Sequence, residues 1–257
     1  MSDVVLITGA AGAIGSATAR RFLDEGWGVV GLDRDPSVEE PPGPGYRGRI
    51  VDLEDEAALE AAVADARSND ALRHVIGVAG GALPEEPPTR EDPVEMSPAL
   101  FRASIEANLT TQFLVLRAAL PWMRADRSAD RSIHLTSSFN ALTGSGMPAY
   151  SAAKAGLIGM MHALVDPLGA EGIRINVVAP GTIRTPRTER LWSSNPGHFE
   201  RLEAGTALGR LGRPEDVAAA FYALATVTTH VTGHVLVVDG GQMVKRADSG
   251  PPGADSY

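Results

Sequence analysis

Val4-Val5-Leu6-Ile7-Thr8-Gly9-Ala10-Ala11-Gly12-Ala13-Ile14-Gly15 is the stretch that decides the fold of this chain. Its first residues are apolar on both faces, the pattern of a strand covered on both sides of its sheet. Gly9, Gly12 and Gly15 follow, and a helix expected over Ala13–Glu25 begins inside the glycine run. Glycines let a backbone turn tightly and approach a pyrophosphate, while a helix amino end offers unbonded N–H donors and a partial positive charge. Gly9, Gly12, Ala13, Ile14 and Gly15 are therefore candidates for holding a dinucleotide. The competing reading is a turn that serves only close packing of helix on strand.

The same alternation continues outward from this unit. Val4–Thr8, Gly28–Asp33, Gly48–Asp52, His74–Val78, Ser132–Ser137, Arg174–Val178 and Val235–Asp239 read as strands. Ala13–Glu25, Glu56–Ser68, Pro98–Arg124, Ala149–Ala170 and Pro214–Ala225 read as the helices between them. Strand and helix in alternation imply parallel strands joined by right-handed crossovers. The expected fold is α/β, a single doubly wound Rossmann-type domain over residues 1–244 with a seven-stranded parallel sheet flanked by helices. Lys245–Tyr257, polar and rich in Gly, Pro and Asp, is expected to be a flexible tail. Pro167 falls inside the helix that begins near Tyr150 and is expected to kink it or end its regular part early.

A length of 257 residues suits one large α/β core, and 44% hydrophobic with 21% charged residues is ordinary for a globular protein. The formal charge of −9 argues against nucleic acid or an anionic membrane as a main partner. With no cysteine, disulfides, thiol nucleophiles and thiolate metal sites are excluded, and the six histidines show no ligand spacing, so no metal is expected. The start of the chain shows no signal-peptide pattern, and no run reaches the ~18 uninterrupted apolar residues of a membrane span. A cytoplasmic location fits these features.

Asp33 ends the second strand, 18 residues after Gly15. A carboxylate there accepts hydrogen bonds from adenosine ribose hydroxyls and repels a 2′-phosphate, which favours NAD over NADP. Arg34 qualifies this, since a guanidinium tolerates the phosphate. Asp33 as a plain turn residue is the bland alternative. In Tyr150-Ser151-Ala152-Ala153-Lys154 the tyrosine and lysine stand about one helical turn apart, so both side chains project from one face. A nearby ammonium lowers a tyrosine pKa from about 10 and eases proton exchange with a carbonyl or alcohol oxygen. On its own this spacing is common on solvated helices.

Taken in order, the glycine motif, Asp33, Asp52-Leu53, Asn108, Ser137-Ser138, Tyr150/Lys154, Pro180-Gly181, Thr232-Gly233 and Asp239-Gly240-Gly241 resemble the short-chain dehydrogenase/reductase family over roughly residues 3–243. The resemblance implies an NAD(P)-dependent oxidoreductase acting on a small-molecule alcohol or carbonyl. It implies Tyr150 as general acid/base, Lys154 as the holder of the nicotinamide ribose, and Ser138 as the partner of the substrate oxygen. Asn108 resembles the residue that supports a water path to the lysine; a simple bridge within its own helix is the alternative. Asp52 and the Leu53 backbone would hold adenine. Ala79 and Gly80 are the small residues that let the cofactor approach, and Pro180, Gly181, Ile183 and Thr185 would contact the nicotinamide carboxamide. Ser137 fits the spacing to Tyr150 better than Ser138, so the two serines compete.

Some positions depart from the family pattern. Ala13 stands where a glycine is usual, which implies a slightly different phosphate turn. Gly77-Val78-Ala79-Gly80 lacks two side-chain amides that brace the sheet. The family implies a homodimer or homotetramer, which Pro167 puts in question. Two rival functions keep the fold: a dinucleotide-sensing or scaffold protein without turnover, and a cofactor-retaining epimerase or dehydratase. Arg184–Gly205, Gly81–Met96 and Phe139–Met147 are expected to line the substrate pocket. There Arg184, Arg187 and Arg190 suit an anionic substrate, whereas Trp192 and Phe139 suit an apolar one; solvated arginines and a surface-packed tryptophan are the bland alternative.

Overall fold

The computed structural model describes residues 3–66, 71–86, 93–125, 127, 129–143, 147–193 and 195–245. Seven strands, β1 (Asp3–Thr8), β2 (Gly28–Asp33), β3 (Tyr46–Ile50), β4 (Ala71–Gly77), β5 (Arg131–Thr136), β6 (Ile173–Pro180) and β7 (Val235–Val238), form one sheet in the order β3-β2-β1-β4-β5-β6-β7. Every pairing is parallel. The order reverses between β1 and β4, and at such a switch point the carboxyl ends of the strands open a crevice for a ligand.

Alternation along each strand builds two cores. Val4 and Leu6 of β1 join Val30, Leu32 and Val75 on one face. That face is covered by α2 (Glu56–Ala66), α4 (Thr111–Ala125) and α6 (Pro148–Ala170), through Leu59, Leu114, Met123, Leu157 and Met161 among others. Val5 and Ile7 point the other way, onto Phe22 of α1 (Ala13–Asp24) and Phe221 of α9 (Pro214–Tyr222). Each fully buried side chain of this size contributes about 1.5–3 kcal/mol, so the sheet is fixed from both sides.

Several boundaries differ from the sequence reading for local reasons. β3 begins two residues earlier than expected, because Tyr46 packs its hydroxyl over Gly31, where a Cβ would stand 2.0 Å from that oxygen. It ends before Asp52, whose Oδ1 turns back to accept from Glu54 N at 3.1 Å. Pro98–Arg124 is one helical run in three parts. After α3 (Pro98–Ile105) comes a π-helical turn (Glu106–Thr110), and then α4. Of the two expectations at Pro167, the early end is corrected: α6 continues through it to Ala170. Pro167 and Ala163, whose carbonyl loses its helical donor, both lie on the exposed side in the last turns.

Lys245, assigned by sequence to the tail, is held: its Nζ donates to Ala204 O at 2.5 Å and Thr206 O at 3.0 Å. The rest of the expected tail, the end of the Glu56–Ser68 helix and parts of the three pocket loops lie outside the described residues. Among the described residues, no helix is long and apolar enough to cross a membrane and no side-chain cluster has metal-ligand character.

Candidate active site

β1 delivers the chain to the crevice and the glycine turn takes it away. Gly9 adopts φ +68°, and a Cβ there would stand 2.7 Å from Ala79 N. A Cβ on Gly15 would lie 2.1 Å from Gly9 O, so the first turn of α1 packs directly on the loop. Gly12 caps α1 without any side-chain acceptor, which leaves the amides of Ala13, Ile14 and Gly15 unopposed by a carboxylate or hydroxyl. With Ala13 in place of the usual glycine, the turn still closes through Gly12 N to Gly9 O at 3.1 Å.

Asp33 is half-buried where β2 ends, and both its oxygens already serve the backbone. Oδ2 accepts from Ala11 N at 3.1 Å and Oδ1 from Asp35 N at 3.0 Å. These bonds fix the carboxylate beside the glycine turn and leave each oxygen a further lone pair. Its charge, second to burial, pushes Tyr46 up to about 12. Arg34 is exposed next to it, as is Asp52, while Leu53 is buried.

Across the switch point, Gly77–Gly80 runs from the end of β4. Gln112 of α4 donates to Ala79 O at 2.7 Å, and Thr136 of β5 donates to Gly77 O at 2.6 Å. A Cβ on Gly77 would stand 2.1 Å from Gln112 Oε1, so that amide fills the space over the glycine. Gln112 and Thr136 thus brace the segment in place of the two missing amides, a role the sequence reading did not assign them.

Asn108 sits in the π-helical turn, fully buried. Its Oδ1 accepts from Gly81 N at 2.7 Å, and its Nδ2 donates to Gly81 O at 3.1 Å and Ser104 O at 3.0 Å. It therefore bridges its own helix and also clamps the loop after β4. A Cβ on Gly80 would fall 2.6 Å from Asn108 Oδ1 and 3.2 Å from Lys154 Nζ, which puts the amide and the ammonium around one point.

α6 presents Tyr150 and Lys154 on one face. Lys154 is buried, its Nζ donates to Thr136 O at 2.9 Å and lies 5.6 Å from the Tyr150 ring centroid. The two serines diverge. Ser137 donates to Lys154 O at 2.8 Å, whereas Ser138 stands close enough to Tyr150 to pull its pKa down and accepts from Asn140 N at 3.2 Å. Asn140 opens a short helix, α5 (Asn140–Thr143), inside the loop from Phe139 to Ala149.

The expected pKa logic is corrected here. Burial pushes the Tyr150 hydroxyl up, against the pull of Ser138 and the Arg187 charge, and with a further rise from the Glu86 charge. Burial also lowers Lys154 to about 7, so near neutrality its ammonium is only partly present to favour a phenolate.

Pro180 and Gly181 close β6, where a Cβ on Gly181 would lie 2.7 Å from Asp239 Cβ. Ile183 is buried and bridges Gly212. Thr185 caps α7 (Pro186–Trp192), its hydroxyl accepting from Thr188 N at 3.2 Å. Arg184 pairs with Glu189 at 3.1 Å and Glu203 at 3.4 Å, and stacks on Phe199 of α8 (His198–Ala204). Trp192 packs on His198 and Phe199 at 4.7 and 5.7 Å between ring centroids. Arg184 and Trp192 thus tie the segment from Arg184 to Gly205 to itself. Arg187 reaches the site, donating to Ala82 O, while Arg190 is exposed. Glu86, which sequence did not single out from Glu85, is buried in the segment that follows Ala82.

A family model described as enoyl-(acyl carrier protein) reductase matches residues 9–243. L-fucose dehydrogenase of Mus musculus is 33% identical, with 93% of this chain and 87% of that protein covered. A 3-oxoacyl-[acyl-carrier-protein] reductase of Thermotoga maritima is 35% identical over 94% of this chain and 98% of its own length. Among solved structures, an oxidoreductase of the short chain dehydrogenase/reductase family from Burkholderia thailandensis matches with a TM-score of 0.85 and 37% identity, covering 95% of this chain and 94% of that one.

Proposed function

The chain belongs to the short-chain dehydrogenase/reductase family, an oxidoreductase family, and on that premise we propose that it moves a hydride between NAD(H) and the carbinol or carbonyl carbon of a small organic substrate. The observation that carries this reading is the hydroxyl pair Ser138–Tyr150 beside the buried Lys154 Nζ, at the carboxyl end of the sheet.

The residues at the switch point fit a dinucleotide. Gly9 and Gly15 keep Cβ atoms out of the turn, and the uncapped amides of Ala13, Ile14 and Gly15 suit a pyrophosphate. Asp33 suits the ribose hydroxyls and disfavours a 2′-phosphate, which supports NAD over NADP. Asp52 and Leu53 would hold adenine. Lys154 would hold the nicotinamide ribose, and Ala79, Gly80, Pro180, Gly181, Ile183 and Thr185 would line the nicotinamide side. When bound, the nicotinamide supplies the hydride chemistry.

The chain's own residues handle the proton. Ser138 Oγ receives the substrate oxygen and fixes it against Tyr150 Oη. Tyr150 gives its proton to a carbonyl oxygen in reduction, or takes one from an alcohol in oxidation. Lys154 in its charged form stabilises the phenolate, and its bond to Thr136 O sets its position. Asn108, clamped on Gly81 next to Lys154, suits a proton path from the lysine.

Assembly as a homodimer or homotetramer is part of the same proposal. Phe101 of α3 and Phe113 of α4 are 41% and 50% exposed, apolar surface that a second copy would cover.

Absorbance at 340 nm tests the reading, with NAD or NADP and a panel of secondary alcohols, sugars and hydroxy acids. NADH formation that Tyr150→Phe abolishes, while that variant still binds NADH, is the expected result. Product formation without net cofactor conversion would overturn it.

A further inference from the structure

Glu86 is 6% exposed, and neither of its carboxylate oxygens meets a protein donor. Buried polar groups are almost always hydrogen-bonded, because leaving them unpaired is unfavourable; an exception asks for a reason. The segment carrying Glu86 is fixed to the active site at several points. Gly81 is clamped at both its N–H and carbonyl by Asn108, Arg187 donates to Ala82 O, and Glu86 N closes a turn onto Leu83 O at 3.1 Å. The backbone leading to Glu86 is thus tied to the site. Glu86 and Arg187 are both near enough for their charges to act on the Tyr150 hydroxyl, in opposite directions.

We infer that Glu86 is a specificity-determining residue that receives hydroxyl groups of a neutral, polyhydroxylated substrate, next to the carbon whose oxygen Ser138 and Tyr150 hold. Two unpaired oxygens on one carboxylate accept two O–H donors, as vicinal hydroxyls supply them. The charges around Tyr150 select against the alternatives. An anionic substrate meets Glu86, and a cationic one meets Arg187, whereas a neutral polyol meets neither penalty. Arg184, already paired twice to carboxylates, adds no unopposed charge for an anion.

The inference rests on the dehydrogenase reading, and the experiment separates the two. Full-length wild type and Glu86→Gln are assayed with NAD on matched pairs, cis-1,2-cyclohexanediol against cyclohexanol and xylitol against 3-pentanol. Thermal melting of the ligand-free proteins and calorimetric titration of D-glucose and xylitol into the NADH-loaded proteins run alongside.

Expected is a wild-type preference for the hydroxyl-rich member of each pair. Glu86→Gln should reduce the polyol-to-monohydric ratio of kcat/KM by about 10- to 100-fold, the range for losing a hydrogen bond to a charged group. Its melting temperature should hold or rise, since an unpaired buried carboxylate is removed. An unchanged ratio, equal loss on both members, a fall in melting temperature, or turnover confined to charged or monohydric substrates would overturn the inference while the dehydrogenase reading stands. If the wild type turns over nothing, polyol binding that Glu86→Gln loses supports the inference without the dehydrogenase reading. Absence of polyol binding in that case overturns it.

Discussion

Lys154 Nζ donates a 2.9 Å hydrogen bond to the carbonyl oxygen of Thr136, across from α6 to the end of β5. That bond points the amine at the site and keeps a buried cation from being unpaired. Lys154→Met should lower kcat by about 10²- to 10⁴-fold, the usual range for proton-transfer machinery, with far-ultraviolet circular dichroism unchanged. Steady-state kinetics at saturating NAD would show it; activity within threefold of wild type would remove Lys154 from the mechanism.

The pH dependence follows from Tyr150, on the same helix face as Lys154. Tyr150 is raised by burial, so at neutral pH its hydroxyl holds its proton and suits reduction. Oxidation needs the phenolate, so kcat/KM for an alcohol should climb with pH through the alkaline range. Reduction should stay level near neutrality and fall only where Tyr150 deprotonates. A profile for oxidation already flat below pH 7 would contradict this assignment.

Asp33 accepts backbone donors from Ala11 and Asp35, yet each oxygen keeps a further lone pair. Asp33→Ala should move the NAD-to-NADP ratio of kcat/KM towards NADP by at least about tenfold, since even 1.4 kcal/mol of relieved repulsion has that effect. Fluorescence titration of NADH and NADPH gives a second readout that does not depend on turnover.

At Gly15 even a methyl group is excluded, because it would meet Gly9 O at 2.1 Å. Gly15→Ala should force α1 off the loop, destabilise the fold by about 1–3 kcal/mol and weaken NADH binding. Urea unfolding and NADH titration check the two effects; a variant with wild-type values in both would show that the turn has room to spare.

Away from the site, His74 Nδ1, Ser132 Oγ and His134 Nε2 form a buried chain of 2.8 Å contacts between β4 and β5. Burial lowers His74 to about 4 and His134 well below its ordinary value. An unfolded histidine titrates near 6.5, so the unfolded state binds more protons between these values. Stability is complete above about pH 6.5 and is lost as pH falls towards 4, by on the order of 3 kcal/mol for His74. Urea unfolding at pH 7 and pH 4.5 should show this gap, and His74→Gln should narrow it.

Much of the fold was legible because its signals are local. The run Val4–Gly15 carries strand, turn and helix start within one stretch, and residues alternating between two cores explain why the strands look apolar on both faces. The errors came where distant residues intervene. Tyr46 extends β3 backwards because it lies over Gly31 of the neighbouring strand, and no pattern within residues 46–52 carries that information.

The sequence by itself determined the alternation of parallel strands and helices, the glycine turn with Asp33 at the end of the next strand, and the placing of Tyr150 and Lys154 on one helix face. Periodicity and spacing suffice for these, since a helix or strand fixes the direction of its side chains. Tertiary structure alone decided which of Ser137 and Ser138 meets Tyr150, that Lys154 sits near pKa 7, that Arg184 is spent on Glu189 and Glu203, and that Glu86 rather than Glu85 is buried. Burial and partner choice depend on groups far apart in the chain, and only the packed fold brings those groups within reach.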